Sequence, residues 1–167
     1  IIARLRAVKS PAEQALMQRA IDITAEGYEA VLSTIRPGIT EFEIQEAAEH
    51  AYRSHGSRGP AYGTIAGTGM NGTVLHYRAN NAPLVAGDVV VLDSGAQFAG
   101  YAADITRTYG NGFELYEQLI AAVDSEQQAL CAQVRAGTDY RDLHLQTHLR
   151  LGGVLRDLGI VDMDPGS

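Results

Sequence analysis

The sequence has a single cysteine, no apolar run near the length of a membrane span, and no excess of basic residues. Cys131 cannot form an internal disulfide, which is typical of a reducing compartment, and its place in a helical pattern predicts a small core residue. A membrane-spanning helix needs about 20 consecutive apolar residues, and no stretch approaches that length. The formal net charge of -7 argues against nucleic-acid or membrane partners, because both are bound by clustered Lys and Arg. These absences favour a soluble, cytoplasmic protein.

What the chain does have is enough apolar sequence for a core. Residues 1–167 are 46% hydrophobic, which suits a single domain. The chain begins without Met at Ile1, and residues 162–167 are turn-like with no closing element. We therefore expect a piece of a longer protein.

Four helical patterns flank a block of strand-like sequence. The first begins at the capping box Ser10-Pro11-Ala12-Glu13, and the second begins at Thr40-Glu41-Phe42-Glu43 and ends near Gly56. The last two patterns end at Gly137 and Gly159. Two helices, a group of antiparallel strands and two more helices predict an α+β fold, with the helices on one face of the sheet.

Four segments of the central block carry strand patterns. Residues 61–66 and 73–77 are predicted strands, and Asn71-Gly72 between them is a strong hairpin signal. Val89-Val90-Val91-Leu92 is a continuous apolar run, which predicts a strand buried on both faces. Residues 101–109 alternate in polarity as a return strand.

Asp93 and Asp104 form the most informative pair in this block. If the segment between them folds as a hairpin centred on Phe98-Ala99, the two acids lie directly opposite each other, about 5 Å apart at Cβ. Facing carboxylates repel, and an uncompensated buried carboxylate costs several kcal/mol. The pair therefore indicates a bound cation.

His76 is predicted to lie on an adjacent strand, where it completes a constellation with the two acids. Two carboxylates are hard ligands for divalent ions, and a nearby histidine can be a further ligand or can stabilise a developing oxyanion. A structural interpretation is also open, in which Asp93 caps a turn, Asp104 pairs with Arg107 or another basic residue, and His76 is a core residue with its hydrogen bonds satisfied.

Two weaker candidates lie elsewhere. His144 and His148 are one helical turn apart, but the residue after the first histidine is Leu145 rather than the glutamate of a metalloprotease helix. An ordinary helix is therefore favoured for that segment. Ser94 lacks the flanking glycine pattern of a nucleophile elbow.

Several segments together resemble one family of metallopeptidases. Its motifs are similar to Arg36-Pro37-Gly38-Ile39-Thr40-Glu41, Leu75-His76-Tyr77, Gly87-Asp88-Val89-Val90-Val91-Leu92-Asp93-Ser94-Gly95 and Gly100-Tyr101-Ala102-Ala103-Asp104-Ile105-Thr106-Arg107-Thr108-Tyr109. The family comprises the Xaa-Pro dipeptidases, or prolidases, and the Xaa-Pro aminopeptidases, which share the pita-bread (creatinase/aminopeptidase) fold. The resemblance covers nearly the whole chain and implies that residues 1–167 are the N-terminal half of the catalytic domain.

The resemblance also implies a set of site residues. Asp93 and Asp104 would be the first two of five ligands to two divalent metal ions, usually manganese, with cobalt or zinc possible, and Asp104 would bridge both ions. His76 would contact the substrate or stabilise the tetrahedral intermediate, and Tyr62 would lie near the substrate. Thr106 would orient a ligand without touching metal. The other three ligands, one histidine and two glutamates, belong to a second half that this chain lacks.

The function implied is hydrolysis of the peptide bond preceding proline in Xaa-Pro dipeptides by the complete enzyme, with this fragment alone inactive. Two alternatives are an Xaa-Pro aminopeptidase acting on longer peptides and a binding module that keeps the fold without catalysis. We expect proline-containing peptides as partners, with no nucleic acid and no membrane. We also expect a homodimer of the full-length protein, or association of the fragment with its missing half.

Overall fold

Two capped helices lead into the sheet. The computed structural model describes residues 1–110 and 112–162, which divide at Tyr109 into two compact units. In the first unit a short helix α1 (Ile2–Ala7) precedes α2 (Pro11–Leu32) and α3 (Glu41–Ser54). Both predicted capping boxes are present, since each N-cap hydroxyl accepts from the backbone of the third helical residue and that residue's carboxylate accepts from the cap.

Three antiparallel strands form the main sheet in the order β1 (Ile65–Thr68), β2 (Val90–Ser94) and β5 (Ile105–Tyr109). Two short strands between them, β3 (Gln97–Phe98) and β4 (Tyr101–Ala102), form a separate ribbon. The prediction that the apolar strand is buried on both faces is wrong, because buried and half-buried residues alternate along β2. This alternation gives β2 a core face and an outer face.

The core of the first unit lies between α2, α3 and the sheet. Helix α3 packs against β1, and α2 packs against β3 and β4. The buried cluster comprises Ile23, Tyr28, Val31, Ile39, Ile44, Ala48, Tyr52, Ala66, Leu84, Val90, Leu92 and Ala96. Helices therefore cover one face of the sheet, as the sequence predicted.

The predicted strand at residues 73–77 does not form. Residues Gly69–Thr73 are a 3₁₀-helix, and the chain continues through a turn that includes His76, whose φ is 54°. The strand predicted for residues 61–66 is shorter than expected, since β1 begins at Ile65. The Asn71-Gly72 hairpin prediction is wrong because Asn71 uses its side-chain amide to bond Glu41 on α3, so the segment is held by a helix rather than by a strand.

The hairpin that carries the two acids turns one residue later than predicted. Ala99 and Gly100 have φ of 50° and 86°, as a two-residue hairpin turn requires at both central positions. Asp93 consequently lies opposite Thr106 rather than Asp104. Because the register changes by two residues, Asp93 and Asp104 still project from the same face of the hairpin.

The second unit contains α4 (Glu114–Cys131) and α5 (Tyr140–Asp157), which pack against each other. Cys131 is exposed, so the prediction that it is a core residue is wrong. Within residues 112–162, neither helix buries a residue fully. In the described part of the chain, no helix is long and apolar enough to cross a bilayer. The predicted turn at Asn111 and most of the turn-like segment at residues 162–167 lie outside the described residues.

Candidate metal centre

Asp93 stands on the outer face of β2 between two buried neighbours. Leu92 and Ser94 point into the core, and the period of two along a strand turns Asp93 the other way. Its carboxylate is half-buried. The central strand of the sheet therefore fixes the backbone of Asp93 through ladders to β1 and β5, opposite Ile65 and Thr106.

Asp104 lies between β4 and β5 and is exposed. The preceding residue anchors it, because Ala103 is buried and its N–H donates to the carbonyl of Ala96 at 3.0 Å. Gly95 allows this close approach, since a Cβ at that position would collide with the carbonyl of Ala103. The glycine after the Asp93-Ser94 pair is thus required for the two acids to converge.

Tyr62 joins the two acids. Its hydroxyl oxygen lies 2.6 Å from Oδ1 of Asp93 and 2.9 Å from Oδ1 of Asp104. Both carboxylates are therefore within reach of one hydroxyl proton. Burial, followed by the hydrogen bonds and negative charges of the two aspartates, raises the pKa of Tyr62 well above its ordinary value.

The chain segment before β1 places Tyr62. Pro60 forms an isolated bridge with Ala96, and the N–H of Ala61 donates to the carbonyl of Gly95 at 2.7 Å. Residues 60–62 therefore run beside the start of the hairpin, next to both acids. The sequence analysis identified Tyr62 through the family resemblance alone.

Beneath the carboxylates lies a network of buried hydroxyls that the sequence analysis missed. Tyr52 donates to Oγ of Ser94 at 3.0 Å, and Thr64 lies 3.1 Å from the same oxygen. The hydroxyl of Tyr28 reaches the carbonyls of Ile105 and Leu92 on neighbouring strands. Burial is the main reason why the pKa of Tyr52 rises to about 12, so its phenol is a proton donor at neutral pH. Ser94 is part of this network and is fully buried, which argues against a nucleophilic role.

His76 is not on a strand, in contrast to the prediction. It is exposed and lies in the left-handed backbone region, which is uncommon for a residue other than glycine and is often found at functional sites. Across residues 1–110 and 112–162, no group of three or more His, Cys, Asp or Glu side chains could hold a metal ion. The structure therefore brings together Asp93, Asp104 and Tyr62, and His76 does not complete a ligand cluster with them.

The structural alternative for Asp104 does not form. Arg107 donates through Nη1 to the carbonyl of Thr106 at 2.8 Å, rather than pairing with the acid. Thr106, which the resemblance predicted to orient a ligand, is exposed and is the cross-strand neighbour of Asp93. Its position is suited to contact with the Asp93 carboxylate.

The two histidines of α5 form a pair of their own. The Nε2 atoms of His144 and His148 are 3.1 Å apart, and the rings meet edge to face. Both residues are exposed on the second unit. Among the described residues, no group of three or more potential metal ligands includes them.

The donor set of the first unit is suited to a hard divalent cation. Carboxylate oxygens are the preferred ligands of such ions, and the carboxylates of Asp93 and Asp104 both converge on the Tyr62 hydroxyl. Two carboxylates make a partial coordination shell. The described residues could thus supply part of the ligand set of such an ion.

Comparisons with known proteins agree on one family. The sequence profile described as metallopeptidase family M24 matches residues 15–152. An Xaa-Pro dipeptidase of Stenotrophomonas maltophilia is 40% identical over 165 residues, which cover 96% of this chain and 36% of the dipeptidase. An Xaa-Pro aminopeptidase of Haemophilus influenzae is 41% identical over 129 residues, which cover 73% of this chain and 30% of the aminopeptidase.

Solved structures give the same result for the fold. Aminopeptidase P from Escherichia coli with the inhibitor Pro-Leu superposes with a TM-score of 0.94 at 32% identity, over 99% of this chain and 38% of that chain. A zinc-substituted form of the same enzyme in complex with product superposes with a TM-score of 0.92. The chain thus spans a little over one third of the length of these proteins.

Proposed function

This chain belongs to metallopeptidase family M24, and we propose that the full-length protein is a metal-dependent Xaa-Pro dipeptidase, with residues 1–167 as the first half of its catalytic domain. The α+β pita-bread fold predicted from the sequence is confirmed by the likeness to aminopeptidase P. A cytoplasmic location and a homodimeric assembly stay predictions.

One observation carries the proposal. The carboxylates of Asp93 and Asp104 converge on a single hydroxyl, that of Tyr62, at 2.6 and 2.9 Å. Like charges placed this close are unfavourable without a cation, so the arrangement supports a metal-binding role. We assign Asp93 and Asp104 as ligands of two divalent ions, with manganese as the first candidate and cobalt or zinc as alternatives.

Five residues of the chain then have a part in peptide hydrolysis. The metal ions would supply an activated water and an electrophile for the peptide carbonyl. Asp93 and Asp104 hold the ions, Thr106 orients the Asp93 carboxylate, and Tyr62 donates a proton in a hydrogen bond beside the substrate. His76, on its exposed loop, binds the substrate and donates a hydrogen bond to the oxygen that becomes negative in the transition state.

The dipeptidase assignment is supported by how far the similarity extends. Identity to the dipeptidase of Stenotrophomonas maltophilia covers 96% of this chain, whereas identity to the aminopeptidases of Haemophilus influenzae and Escherichia coli covers 73% and 65%. The superposition on aminopeptidase P favours the second candidate, an Xaa-Pro aminopeptidase. Turnover of a Gly-Pro dipeptide compared with a Gly-Pro-Xaa tripeptide by the full-length protein distinguishes the two.

Substitution of the ligands tests the metal centre. Asp93→Asn and Asp104→Asn in the full-length protein should lower kcat/KM by more than about 100-fold and reduce bound metal, because each removes a ligand charge. Asp22→Asn is the matched control, since Asp22 is an exposed acid on α2 whose carboxylate accepts a hydrogen bond from the side chain of Gln18. Normal activity and metal content in either ligand variant would contradict the proposal.

The isolated 167-residue chain provides a second test. It should bind manganese weakly and hydrolyse no Xaa-Pro dipeptide measurably, because its described residues contain no cluster of three metal ligands. Isothermal titration with manganese and a Gly-Pro hydrolysis assay measure both quantities. Robust turnover by this chain would contradict the assignment of the remaining ligands to other residues.

A further inference from the structure

The loop that carries His76, residues 69–82, lies between β1 and β2 and contains no strand. It forms the 3₁₀-helix Gly69–Thr73 and then irregular structure. Its backbone hydrogen bonds include one from the N–H of Tyr77 to the carbonyl of Val74, and one from the N–H of Glu41 on α3 to the carbonyl of Ala82. His76 itself has a left-handed backbone conformation, which persists only when surrounding contacts impose it. Side-chain contacts hold the loop in addition to these backbone hydrogen bonds.

Glu41, the first residue of α3, supplies most of these contacts. Its side chain is fully buried and accepts five hydrogen bonds. Oε1 accepts from the backbone and the hydroxyl of Thr68 at 2.8 and 3.0 Å, and from the amide of Asn71 at 2.9 Å. Oε2 accepts from the hydroxyl of Tyr77 at 2.7 Å and the N–H of Ala82 at 3.0 Å. Every donor belongs to the end of β1 or to the His76 loop.

The buried carboxylate of Glu41 is stabilised by the hydrogen-bond donors around it. Burial alone would raise the pKa of Glu41, but the hydrogen bonds from Asn71, Ala82, Thr68 and Tyr77 outweigh burial and lower it. The N-terminus of α3 adds the favourable end of the helix dipole. Glu41 is thus an ionised carboxylate whose hydrogen bonds hold the end of β1 and several positions of the loop.

Asn80 holds the C-terminal part of the same loop through a second set of hydrogen bonds. Asn80 is buried, accepts from the N–H of Ala66 at 3.1 Å, and donates to Gln45 on α3 and to the carbonyl of Thr64 at 2.9 and 2.7 Å. Unlike Asn80, Glu41 binds residues on both sides of His76. One of them, Tyr77, is the next residue in the chain.

We propose that Glu41 is a positioning residue for the peptidase reaction, because it fixes the loop that presents His76 at the metal centre. The inference rests on the role given to His76 under the proposed function. It assigns to Glu41 a task beyond starting α3, a task that Glu43 at the same helix end does not share. The Glu43 carboxylate accepts from the N–H and the hydroxyl of Thr40 and completes the capping box.

A comparison of two glutamates provides the experiment. In the full-length protein, Glu41→Gln should lower kcat by about 10- to 100-fold, because a misplaced group near the chemistry costs this much. KM should change less, since His76 acts mainly in the transition state. Glu43→Gln removes the same charge from the same helix end and should leave kcat within about twofold, because glutamine also completes a capping box.

A double-mutant cycle separates positioning from general stability. If Glu41 acts through His76, Glu41→Gln should have little further effect on kcat in a His76→Ala background. Tyr77→Phe removes one hydrogen bond to Glu41 and keeps the ring, so it provides the same cycle if Glu41→Gln does not fold. Its expected effect is a smaller loss of kcat, which should also vanish in the His76→Ala background.

Amide hydrogen exchange of residues 68–82 gives a readout that does not depend on activity. Exchange in this segment should be faster in Glu41→Gln than in Glu43→Gln, since the amides of Thr68 and Ala82 donate to Glu41. Unchanged exchange, or equal losses of kcat with and without His76, would overturn the inference alone. A wild-type protein that hydrolyses no Xaa-Pro peptide would overturn the proposed function, and exchange would still decide whether Glu41 holds the loop.

Discussion

The two units of this chain have similar numbers of long helices but bury very different amounts of them. In the first unit, α2 and α3 each contain six buried residues and enclose the core against the sheet. In the second unit, as far as residue 162, α4 and α5 contain none. Large apolar side chains stand exposed there instead, including Leu115, Tyr116, Val123, Leu145 and Leu149.

This difference shows what an amphipathic pattern does and does not guarantee. All four helices have an apolar stripe in the sequence, yet burial requires a surface for the stripe to pack on. The first unit provides that surface within residues 1–109 through the sheet, whereas a helical hairpin alone covers little area. The uncovered residues of the second unit are consistent with the predicted need for a partner, and that association stays a prediction.

The two units should differ most in folded structure when they are produced as separate polypeptides. A polypeptide of residues 1–109 should unfold cooperatively in urea, because its core cluster lies entirely within it. A polypeptide of residues 110–167 should have low helicity, since short helices without a packed face are marginal in water. Far-UV circular dichroism measures both. An equally cooperative transition for residues 110–167 would remove the contrast.

Truncating one leucine in each unit to alanine should lower the free energy of unfolding by amounts that differ by several kcal/mol. Leu92 on β2 is 0% exposed, so Leu92→Ala should lower the free energy of unfolding by about 2–5 kcal/mol. Leu149 on α5 is 51% exposed, and Leu149→Ala should change it by no more than about 0.5 kcal/mol. Urea denaturation of the 167-residue chain tests the pair, and a large loss at Leu149 would mean that the second unit has a core of its own.

Replacing each of two helical glycines with alanine should change the free energy of unfolding in opposite directions. A Cβ at Gly27 on α2 would collide with the ring of Tyr52 on α3, so Gly27→Ala should destabilise the first unit by about 1–3 kcal/mol. A Cβ at Gly153 on α5 meets nothing within 4 Å, and Gly153→Ala should stabilise that helix by about 1 kcal/mol. Thermal unfolding followed at the helical signal measures both changes. Stabilisation by Gly27→Ala would contradict the packing described for α2 and α3, and destabilisation by Gly153→Ala would contradict the open space at that position.

Acid should weaken the first unit through Glu13. The N–H of Ser10 and then the hydroxyl of Tyr101 lower the pKa of Glu13 from 4.5 to about 2. A carboxyl group whose pKa is lower in the folded state stabilises that state above its ordinary pKa, and this stabilisation is lost as pH falls from 4.5 towards 2. The urea midpoint of the wild-type chain should therefore fall over this range more steeply than that of Glu13→Gln. Parallel profiles would exclude the contribution.

Local signals in the sequence predicted the helices of the first unit well. The boxes that begin at Ser10 and Thr40 satisfy backbone donors within four residues, so their effect does not depend on the rest of the fold. The same kind of signal failed at Asn71-Gly72. A buried carboxylate 30 residues earlier in the chain takes the Asn71 amide, and no local pattern contains that information.

The sequence also predicted part of the candidate site, because the face on which a strand residue lies follows from a local pattern. The alternation of β2 and of the return strand placed Asp93 and Asp104 on one face, and this placement survived an error in the turn because the correction was an even number of residues. Tyr62 entered only through the family resemblance, and His76 was predicted on a strand that does not form. The hydroxyl network of Tyr28 and Tyr52, and the hydrogen bonds of Glu41, join residues far apart in the chain and had no signal in the sequence pattern.

By itself, then, the sequence determined the capped helices, the strand that carries Asp93, the shared face of the two acids and the peptidase family, because these depend on short-range periodicity or on motifs. Only the tertiary structure decided the register of the hairpin, the placement of Tyr62 between the carboxylates, and the wrapping of the His76 loop around Glu41. Each of these depends on long-range hydrogen bonds between side chains and backbone, whose partners are chosen by packing rather than by neighbouring residues.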